Sequence, residues 1–282
     1  MKNTKLIKNI REPIKNPRVV YQGDPGAYSE MAARDYFGED VLTKGLYQFE
    51  DVFLALEKGE ADYALLPIEN SSTGAIRQVY DLLEKYPFFF VGETGVPIHH
   101  ALMALPGTKI EDIHTIYSHE QGLFQCESYL KQHPNWKAIP QADTAGSAKL
   151  VAHLQDPHAA AICSELAAKI YGLHILEKKV NSNSTNTTRF VVVSTQLELG
   201  KIRNKTIFSF IGQDNLNLAL QIFVEYQTTL IRIESRPIPE HKWEYMFFIE
   251  MAGDIEDPVL EQLSKQIENL RILGSFCSNL NA

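Results

Sequence analysis

Short apolar runs alternate with amphipathic segments along the first two thirds of the chain, and this alternation most limits the possible folds. The apolar runs have the length of buried strands, and the segments between them repeat apolar residues at helical spacing. This order is typical of βαβ units with a mainly parallel sheet. The predicted strands cover residues 18–22, 63–69, 87–92, 101–105, 115–118, 159–163 and 190–194. The predicted helices cover residues 28–37, 49–58, 74–84, 121–132, 144–154 and 164–171.

The number of strands and the region around Pro97 predict two α/β lobes rather than one. A chain of 282 residues is long enough for about two domains, and its 44% of hydrophobic residues can fill two packed cores. We therefore predict a polar lead-in at residues 1–17 and a two-lobed domain at residues 18–195. Residues 196–204 are polar and form a candidate linker.

The pattern changes after this linker. A strand at Lys205–Ile211 precedes a helix, two strands, a second helix and a last strand that ends at Phe276. The resulting order, βαββαβ, is typical of a ferredoxin-like α+β domain. We place this domain at residues 205–276 and a tail at residues 277–282. The apolar stripes of its two helices are Leu216, Ala219, Leu220 and Phe223, then Leu260, Leu263, Ile267 and Leu270.

Charge and cysteine usage limit the compartment and the partners. The chain has 27 basic and 35 acidic residues, a net charge of −8, which argues against nucleic acid and anionic membranes as partners. No apolar run has the length of a signal peptide or of a membrane span. The odd count of cysteines, Cys126, Cys163 and Cys277, favours reduced thiols. These features predict a soluble, cytoplasmic protein whose anionic ligands would need a local positive site.

A loop of small polar residues enters a strand at Thr188 and Arg189. A hydroxyl beside a guanidinium suits a substrate that carries a leaving hydroxyl and a carboxylate. Successive side chains of an extended strand point to opposite faces, however. Whether both residues contact one ligand is therefore left open.

Three further polar motifs follow predicted strands, where α/β folds bind ligands. They are residues 23–29, 67–71 and 118–121. A tight turn, helix capping by Asn70 or Ser71, and a surface role for His119 are the alternative interpretations. Asp143 is interpreted mainly as a helix N-cap. The candidate binding residues are Gly26, Tyr28, Glu69, Asn70, Ser71, Ser118, Gln121 and, one helical turn after Gln121, Gln125.

Metal-binding patterns are poorly represented. The adjacent His99 and His100 would point to opposite faces of a strand, and His114 and His119 have no third ligand nearby. HExxH and CxxC motifs do not occur in the sequence. We predict chemistry without a metal or an organic cofactor.

Taken together, the motifs resemble those of the prephenate dehydratase family across residues 18–276. The matching segments are Tyr21-Gln22-Gly23, Gly26-Ala27-Tyr28-Ser29, Leu66-Pro67-Ile68-Glu69-Asn70-Ser71, Ser118-His119-Glu120-Gln121, Thr188-Arg189-Phe190 and Glu234-Ser235-Arg236-Pro237. The resemblance implies a catalytic domain of two α/β lobes, like a type II periplasmic binding protein, followed by a regulatory ACT domain. It implies that Thr188 is catalytic and that Glu69, Asn70, Ser118 and Gln125 lie in the substrate cleft. Arg189 and Phe190 join the candidate binding residues.

The implied reaction converts prephenate to phenylpyruvate, water and carbon dioxide in phenylalanine biosynthesis. Arogenate dehydratase activity is an alternative, and a non-enzymatic amino-acid-binding module is another. Some family members carry a fused chorismate mutase domain. Since 17 residues precede the first predicted strand, we expect that activity to be absent.

The resemblance also implies feedback inhibition by L-phenylalanine at an interface between ACT domains, in a homodimer or a homotetramer. Glu234, Ser235 and Arg236 match the family's effector motif. The family's Gly-Ala-Leu at the first ACT helix is replaced by Asp214-Asn215-Leu216. The Asp214 carboxylate could repel the effector's carboxylate or pair with its ammonium group.

Overall fold

The computed structural model describes residues 10–239 and 241–280. It contains a six-stranded, a five-stranded and a four-stranded sheet. The predicted lead-in at 1–17 and tail at 277–282 lie partly outside the described residues. Within the described ranges, each helix is too short or too polar to cross a membrane.

The first lobe is built on the six-stranded sheet. Strands β1, β2 and β3 are parallel, whereas β11 lies antiparallel between β3 and β5. The strand order is β2-β1-β3-β11-β5, with β4 paired to β3. The elements are β1 Arg18–Gln22, α1 Tyr28–Phe37, β2 Leu42–Leu46, α2 Phe49–Glu57, β3 Tyr63–Asn70, β4 Gly74–Ala75, α3 Arg77–Lys85, β5 Phe89–Pro97 and, later in the chain, β11 Thr187–Ser194.

The second lobe is inserted between β5 and β11, and its strand order is β10-β6-β9-β7-β8. Strands β7, β8 and β9 are parallel, and β6 and β10 are antiparallel to their neighbours. Its elements are β6 Ala101–Ala104, a 3-10 turn at Ile110–Asp112, β7 Thr115–His119, α4 Glu120–Gln125, α5 Glu127–Leu130, β8 Lys137–Gln141, α6 Thr144–Leu154, β9 Ala159–Cys163, α7 Glu165–Tyr171 and β10 His174–Glu177.

The prediction of two α/β lobes is confirmed, but both sheets are mixed rather than mainly parallel. The chain crosses between the lobes twice, and β11 re-enters the first sheet at the end where β3 finishes. The prediction missed β2, β8 and β10, which are edge strands without a fully buried residue, and β4, which has only two residues. Edge strands contact water and therefore lack a continuous apolar run.

The predicted ferredoxin-like domain is confirmed. Its antiparallel sheet has the order β13-β14-β12-β15. The elements are β12 Lys205–Ile211, α8 Gln213–Glu225, β13 Leu230–Pro237, β14 Tyr245–Ala252, α9 Pro258–Gln266 and β15 Arg271–Phe276.

Both faces of this C-terminal sheet are covered. One face carries Phe208 and Ile249 and packs against residues of α8 and α9. The other carries Ile207, Phe248 and Leu273, which belong to the same buried cluster as the core of the first lobe. The C-terminal domain and the first lobe therefore share one hydrophobic core.

Gly26 offers a test of how closely the lobes pack. A Cβ atom there would lie 2.7 Å from Cα of Ala167 on α7, whereas nothing lies within 4 Å of a Cβ at Gly38. Both glycines have positive φ, 92° and 99°, which other residues rarely adopt, so Gly26→Ala and Gly38→Ala each carry a backbone cost of about 1–3 kcal/mol. Gly26→Ala adds overpacking of about 1–3 kcal/mol. In urea unfolding, Gly26→Ala should therefore lower the free energy of unfolding more than Gly38→Ala does. Equal decreases in the two variants would contradict close packing at Gly26.

Candidate active site

A cavity of about 870 Å³ lies between the two lobes. It is bordered by the carboxyl end of β3 and by the first turns of α1, α2 and α6. Aromatic side chains from Tyr47 and Phe49 contribute to its wall. The predicted binding residues that line it are Tyr28, Asn70, Gln121, Gln125, Thr188 and Phe190.

Thr188 lies at the start of β11, directly opposite Asn70 at the end of β3. The Asn70 side-chain amide donates a hydrogen bond of 2.9 Å to Thr188 Oγ1. Asn70 Oδ1 accepts from the backbone N–H groups of Ser72 and Thr73, at 2.9 and 3.2 Å, which fixes the amide. Because Thr188 Oγ1 acts as the acceptor in this hydrogen bond, its own hydroxyl proton is available for donation to a ligand in the cavity.

Arg189 points to the opposite face of β11 and does not line the cavity. Its guanidinium bonds Glu93 at 2.9 Å and Glu250 of the C-terminal domain at 2.8 and 2.6 Å. Lys205 bonds the same two carboxylates at 2.8 and 2.9 Å. We therefore correct the assignment of Arg189 as a substrate ligand, since strand alternation turns it toward the domain interface.

Glu93, Arg189, Lys205 and Glu250 form what we call the interdomain ion cluster. Burial alone would lower the pKa of Arg189, but the hydrogen bonds and charges of Glu250 and Glu93 outweigh it and raise the pKa. Burial alone would raise the pKa of Glu250, but Arg189 and Lys205 hold this pKa down to about 2. Both side chains are therefore charged at neutral pH.

Glu69 repeats this arrangement on β3. It neighbours Asn70 but points to the other face, where its carboxylate lies 3.3 Å from Arg189 Nε and also pairs with Arg232 on β13. The prediction that Glu69 contacts the substrate is corrected for the same reason as that for Arg189. In each of these two pairs, 69–70 and 188–189, one side chain faces the cavity and its neighbour faces the domain interface.

Three further predicted residues hold the fold together instead of facing the cavity. Ser71 Oγ accepts from the backbone N–H of Thr187 at 2.9 Å. The buried Ser118 donates to the carbonyl of Ile162 at 2.7 Å. Gly26 makes its close backbone approach to α7 of the second lobe, not to a ligand.

The glutamine amides link the two lobes across the cavity. Gln121 on α4 donates to Thr73 Oγ1, next to the end of β3, at 2.9 Å. Gln125 Oε1 lies 2.9 Å from Nε2 of His100, and His100 Nδ1 lies 3.1 Å from the hydroxyl of Tyr28. Sequence reasoning considered His100 only as a metal ligand and missed its place in the cavity, because its partners are distant in sequence.

His119 and Asp143 line the cavity and cap the helices that follow them. His119 Nδ1 accepts from the backbone N–H of Gln121 at 3.2 Å. Asp143 accepts from the backbone N–H of Gly146 at 2.6 Å, as its N-cap interpretation predicts. Burial raises the pKa of Asp143 in spite of this hydrogen bond.

The positive potential that an anion needs does not come from Lys or Arg, which are absent from the described residues lining the cavity. The carboxylates of Glu50 and Asp81 border it and are paired outward with Lys85 and Arg236. Helix α1 begins in the lining, and its N-cap residue, Ala27, makes no capping hydrogen bond. The Glu30 N–H already donates to the Ala27 carbonyl, so the backbone N–H groups of Tyr28 and Ser29, together with the helix dipole, favour an anion there.

The predicted effector residues lie at one end of the C-terminal sheet. Ile211, just before α8, and Arg236 on β13 both pair with Met246. Asp214 is exposed in the first turn of α8, and the Asn215 amide donates to the Ile211 carbonyl at 2.7 Å. Arg236 itself bonds Asp81 of α3 through two contacts of 2.7 and 3.0 Å.

Comparison with known proteins decides the family. The family model described as prephenate dehydratase matches residues 19–198. The chain belongs to the prephenate dehydratase family. It is therefore an enzyme of the class that removes water and carbon dioxide from prephenate, which contradicts the alternative of a non-enzymatic binding module.

Individual relatives agree with this assignment over nearly the whole chain. The bifunctional chorismate mutase/prephenate dehydratase of Escherichia coli K12 is 35% identical, over 93% of this chain and 71% of its own length. Arogenate dehydratase/prephenate dehydratase 2 of Arabidopsis thaliana is 36% identical, over 92% of this chain and 72% of its own.

Two solved structures share the fold. Prephenate dehydratase from Arthrobacter aurescens, in complex with L-Phe, has a TM-score of 0.84 and 29% identity, over 92% of this chain and 90% of its own. GqqA, described as a quorum quenching acylase, has a TM-score of 0.84 and 28% identity, over 93% of this chain and 98% of its own. The same fold is thus described with two activities.

The interdomain ion cluster gives a stability prediction. Glu250→Gln leaves buried cations under-compensated and should lower the free energy of unfolding by about 3–5 kcal/mol at neutral pH. Because the pKa of Glu250 is lowered from 4.5 to about 2, its stabilisation is complete above about pH 4.5 and is lost toward pH 2. The difference in the free energy of unfolding between wild type and variant should therefore decrease as the pH falls from about 4.5 to about 2.

Urea unfolding at a series of pH values measures this difference. Glu244→Gln, an exposed residue just before β14, is the matched control and should change stability by less than about 0.5 kcal/mol. A difference for Glu250→Gln that stays constant down to about pH 2 would contradict the assigned charge state.

Proposed function

We propose that this enzyme converts prephenate to phenylpyruvate with Thr188 as the donor to the departing hydroxyl. The supporting observation is the Thr188–Asn70 hydrogen bond at the wall of the cleft. It leaves the Thr188 proton facing the cavity and holds its oxygen in place. Preorganised donors of this kind stabilise charge as it develops in a transition state.

The chemistry of prephenate explains what the residues must do. Its ring hydroxyl lies opposite the carbon that carries a carboxylate, and loss of both groups makes the ring aromatic. Thr188 donates a hydrogen bond to the oxygen as the C–O bond breaks. A threonine hydroxyl is too weak an acid to give up its proton fully, so water or another group completes the transfer to the leaving hydroxide.

The rest of the lining suits a cyclic dianion. Tyr47, Phe49 and Phe190 provide apolar surface for the ring. The uncapped start of α1 can bind a carboxylate, and Gln121 and Gln125 contribute amide groups to the wall. A cavity of about 870 Å³ is ample for such a ligand.

Arogenate is the competing substrate, and the Arabidopsis relative is named for both activities. Arogenate carries an ammonium group where prephenate has a keto group, so it needs an available acceptor. The Glu50 and Asp81 carboxylates are already paired with cations. The third carboxylate among the described lining residues, Asp143, already accepts from the backbone N–H of Gly146 as the cap of α6. The engagement of all three favours prephenate. Incubation with each purified substrate, following phenylpyruvate and phenylalanine, tests this preference, and faster turnover of arogenate would refute it.

Thr188→Ala should lower kcat by roughly 10²–10³, the effect of removing one preorganised donor. Thr188→Ser keeps the hydroxyl and should recover most of the rate. Thr187→Ala is the matched control, because Thr187 is adjacent on β11 but does not line the cavity. Steady-state kinetics on folded variants measure all three, and an undiminished kcat in Thr188→Ala would remove this residue from the mechanism.

We further propose that the C-terminal domain is an ACT-type regulatory domain that binds L-phenylalanine between two copies of the chain, in a homodimer or homotetramer. The Arthrobacter aurescens relative was solved with L-Phe. Here Glu234 and Ser235 lie on β13, an edge strand of the sheet, where a second copy can reach them. Gly212, with φ of 100°, opens α8 without a side-chain cap and gives backbone access close to Asp214.

Helix α3 is the proposed connection between the effector site and the cleft. Asp81 on α3 borders the cavity and binds Arg236 of β13. Arg232, also on β13, lies over the ring of Tyr80 on α3, with its guanidinium carbon 6.0 Å from the ring centroid. A shift of β13 therefore pulls on α3 directly. Regulation follows if L-phenylalanine binds unequally to the two positions of the domain.

Calorimetric titration with L-phenylalanine should show binding over the same concentrations that inhibit turnover, and sedimentation should show a dimer or tetramer. Glu234→Ala should weaken binding about tenfold or more, because it removes a charged partner for the effector's ammonium group. Glu225→Ala, at the exposed end of α8, is the matched control. Inhibition without binding heat, or a monomer, would contradict the proposed site.

A further inference from the structure

A histidine that the proposed reaction does not use lies where the chain crosses between the lobes. His100 belongs to the segment that joins β5 to β6. Its backbone N–H donates to Asn181 Oδ1 at 2.6 Å, and its carbonyl accepts from the N–H of Val180 at 2.9 Å. Both partners lie between β10 and β11, where the chain crosses back. The two crossing segments therefore hold the His100 backbone from both sides.

The side chain of His100 joins the two lobes as well. The residue is 2% exposed and lines the cavity. Its Nδ1 contacts the hydroxyl of Tyr28 on α1 of the first lobe, and its Nε2 contacts Gln125 on α4 of the second. The Tyr28 and His100 rings meet edge to face, at 5.4 Å and 78°. Each ring nitrogen is thus hydrogen-bonded to a residue of a different lobe.

The hydrogen-bond directions assign one form of the ring. Gln125 presents its oxygen to His100, so Nε2 carries the proton and Nδ1 accepts from the Tyr28 hydroxyl. The amide N–H groups of Gln125 and the acceptor lone pairs of the Tyr28 oxygen are then free for the cavity, which both residues line. A doubly protonated ring would have no acceptor for the Tyr28 hydroxyl.

We propose that His100 is a positioning residue for the dehydratase reaction. Its neutral ring holds Tyr28 and Gln125 in register across the cleft, so that their polar groups face the substrate together. This role rests on the proposed function, because it supposes that prephenate occupies the cavity. It concerns substrate binding, so removal of the ring raises KM more than it lowers kcat.

Three substitutions separate the two contacts of the ring. His100→Asn can replace the Nδ1 contact only, His100→Gln can replace the Nε2 contact only, and His100→Leu replaces neither. We expect KM to rise by about threefold to tenfold in the first two and by more in His100→Leu, with kcat within about threefold of wild type. His99→Leu, at a neighbouring residue that does not line the cavity, is the matched control and should leave KM unchanged. An unchanged KM in His100→Leu would overturn the proposal.

A double-mutant cycle tests whether His100 acts through Tyr28. In the His100→Gln background the Tyr28 hydroxyl has already lost its partner, so Tyr28→Phe should raise KM less than it does in the wild type. Fully additive effects would show that the two residues act independently, which would overturn the proposed role.

The protonation state can be measured without any turnover. Burial lowers the pKa of His100 to about 4, so nitrogen-15 NMR should show one neutral Nε2–H tautomer from about pH 8 to about pH 5. Around the ring, the titratable groups are Tyr28 and His99, and beyond Tyr28 lie Cys126, Cys163 and Glu165. Burial raises the pKa of both thiols to about 12, so they stay protonated in this window.

The NMR and kinetic results separate the two proposals. An Nδ1–H tautomer, or a ring that titrates near its ordinary pKa of 6.5, would overturn the positioning role even in an active enzyme. Failure of the wild type to consume prephenate would instead refute the proposed reaction, whatever the state of His100.

Discussion

The alternation of side chains along two neighbouring strands is the constraint on which the rest of the structure depends. Thr188 and Asn70 point into the cleft, while the adjacent Arg189 and Glu69 point to the C-terminal domain. The wall of the candidate active site and the interface with the C-terminal domain are therefore opposite faces of the same pair of strands. A displacement at the interface cannot leave the cleft untouched, because no other layer of structure separates them.

The interface between the first lobe and the C-terminal domain contains both apolar and charged groups. Ile207, Phe248 and Leu273 extend the core of the first lobe into the C-terminal domain, and burial of this surface supplies the favourable free energy. The interdomain ion cluster balances two cations with two carboxylates. Desolvation cancels much of the attraction within such a cluster. A docking register that separated these four side chains would leave buried charges unpaired, which is strongly unfavourable.

Among the residues that the structure describes, the cleft is lined without lysine or arginine, which suits a reaction in which a carboxylate leaves as neutral carbon dioxide. A cation bound to that carboxylate would stabilise the substrate more than the transition state and would slow the reaction. Neutral donors and a helix N-terminus bind an anion with less of this penalty. Arg189 is turned toward Glu250, and Lys85 is paired with Glu50, so neither full positive charge lies in the cleft lining.

The sequence by itself determined the central strands and the helices of both lobes, the ferredoxin-like domain and the family, but not the edge strands β2, β8 and β10. Those features depend on local periodicity and on short motifs, both of which involve residues that are close together in the sequence. It also identified the Thr188 and Asn70 motifs. Alternation further implied that Thr188 and Arg189 would diverge, but it could not say which of the two faces the cleft.

The tertiary structure decided that question, because the answer depends on where the C-terminal domain docks. It turned Arg189 and Glu69 away from the substrate and placed Ser118 and Gly26 in packing roles. It also brought His100 between Tyr28 and Gln125, residues that are 72 and 25 positions away. Contacts over such separations arise only when two lobes close around a cleft, and no local pattern in the chain encodes them.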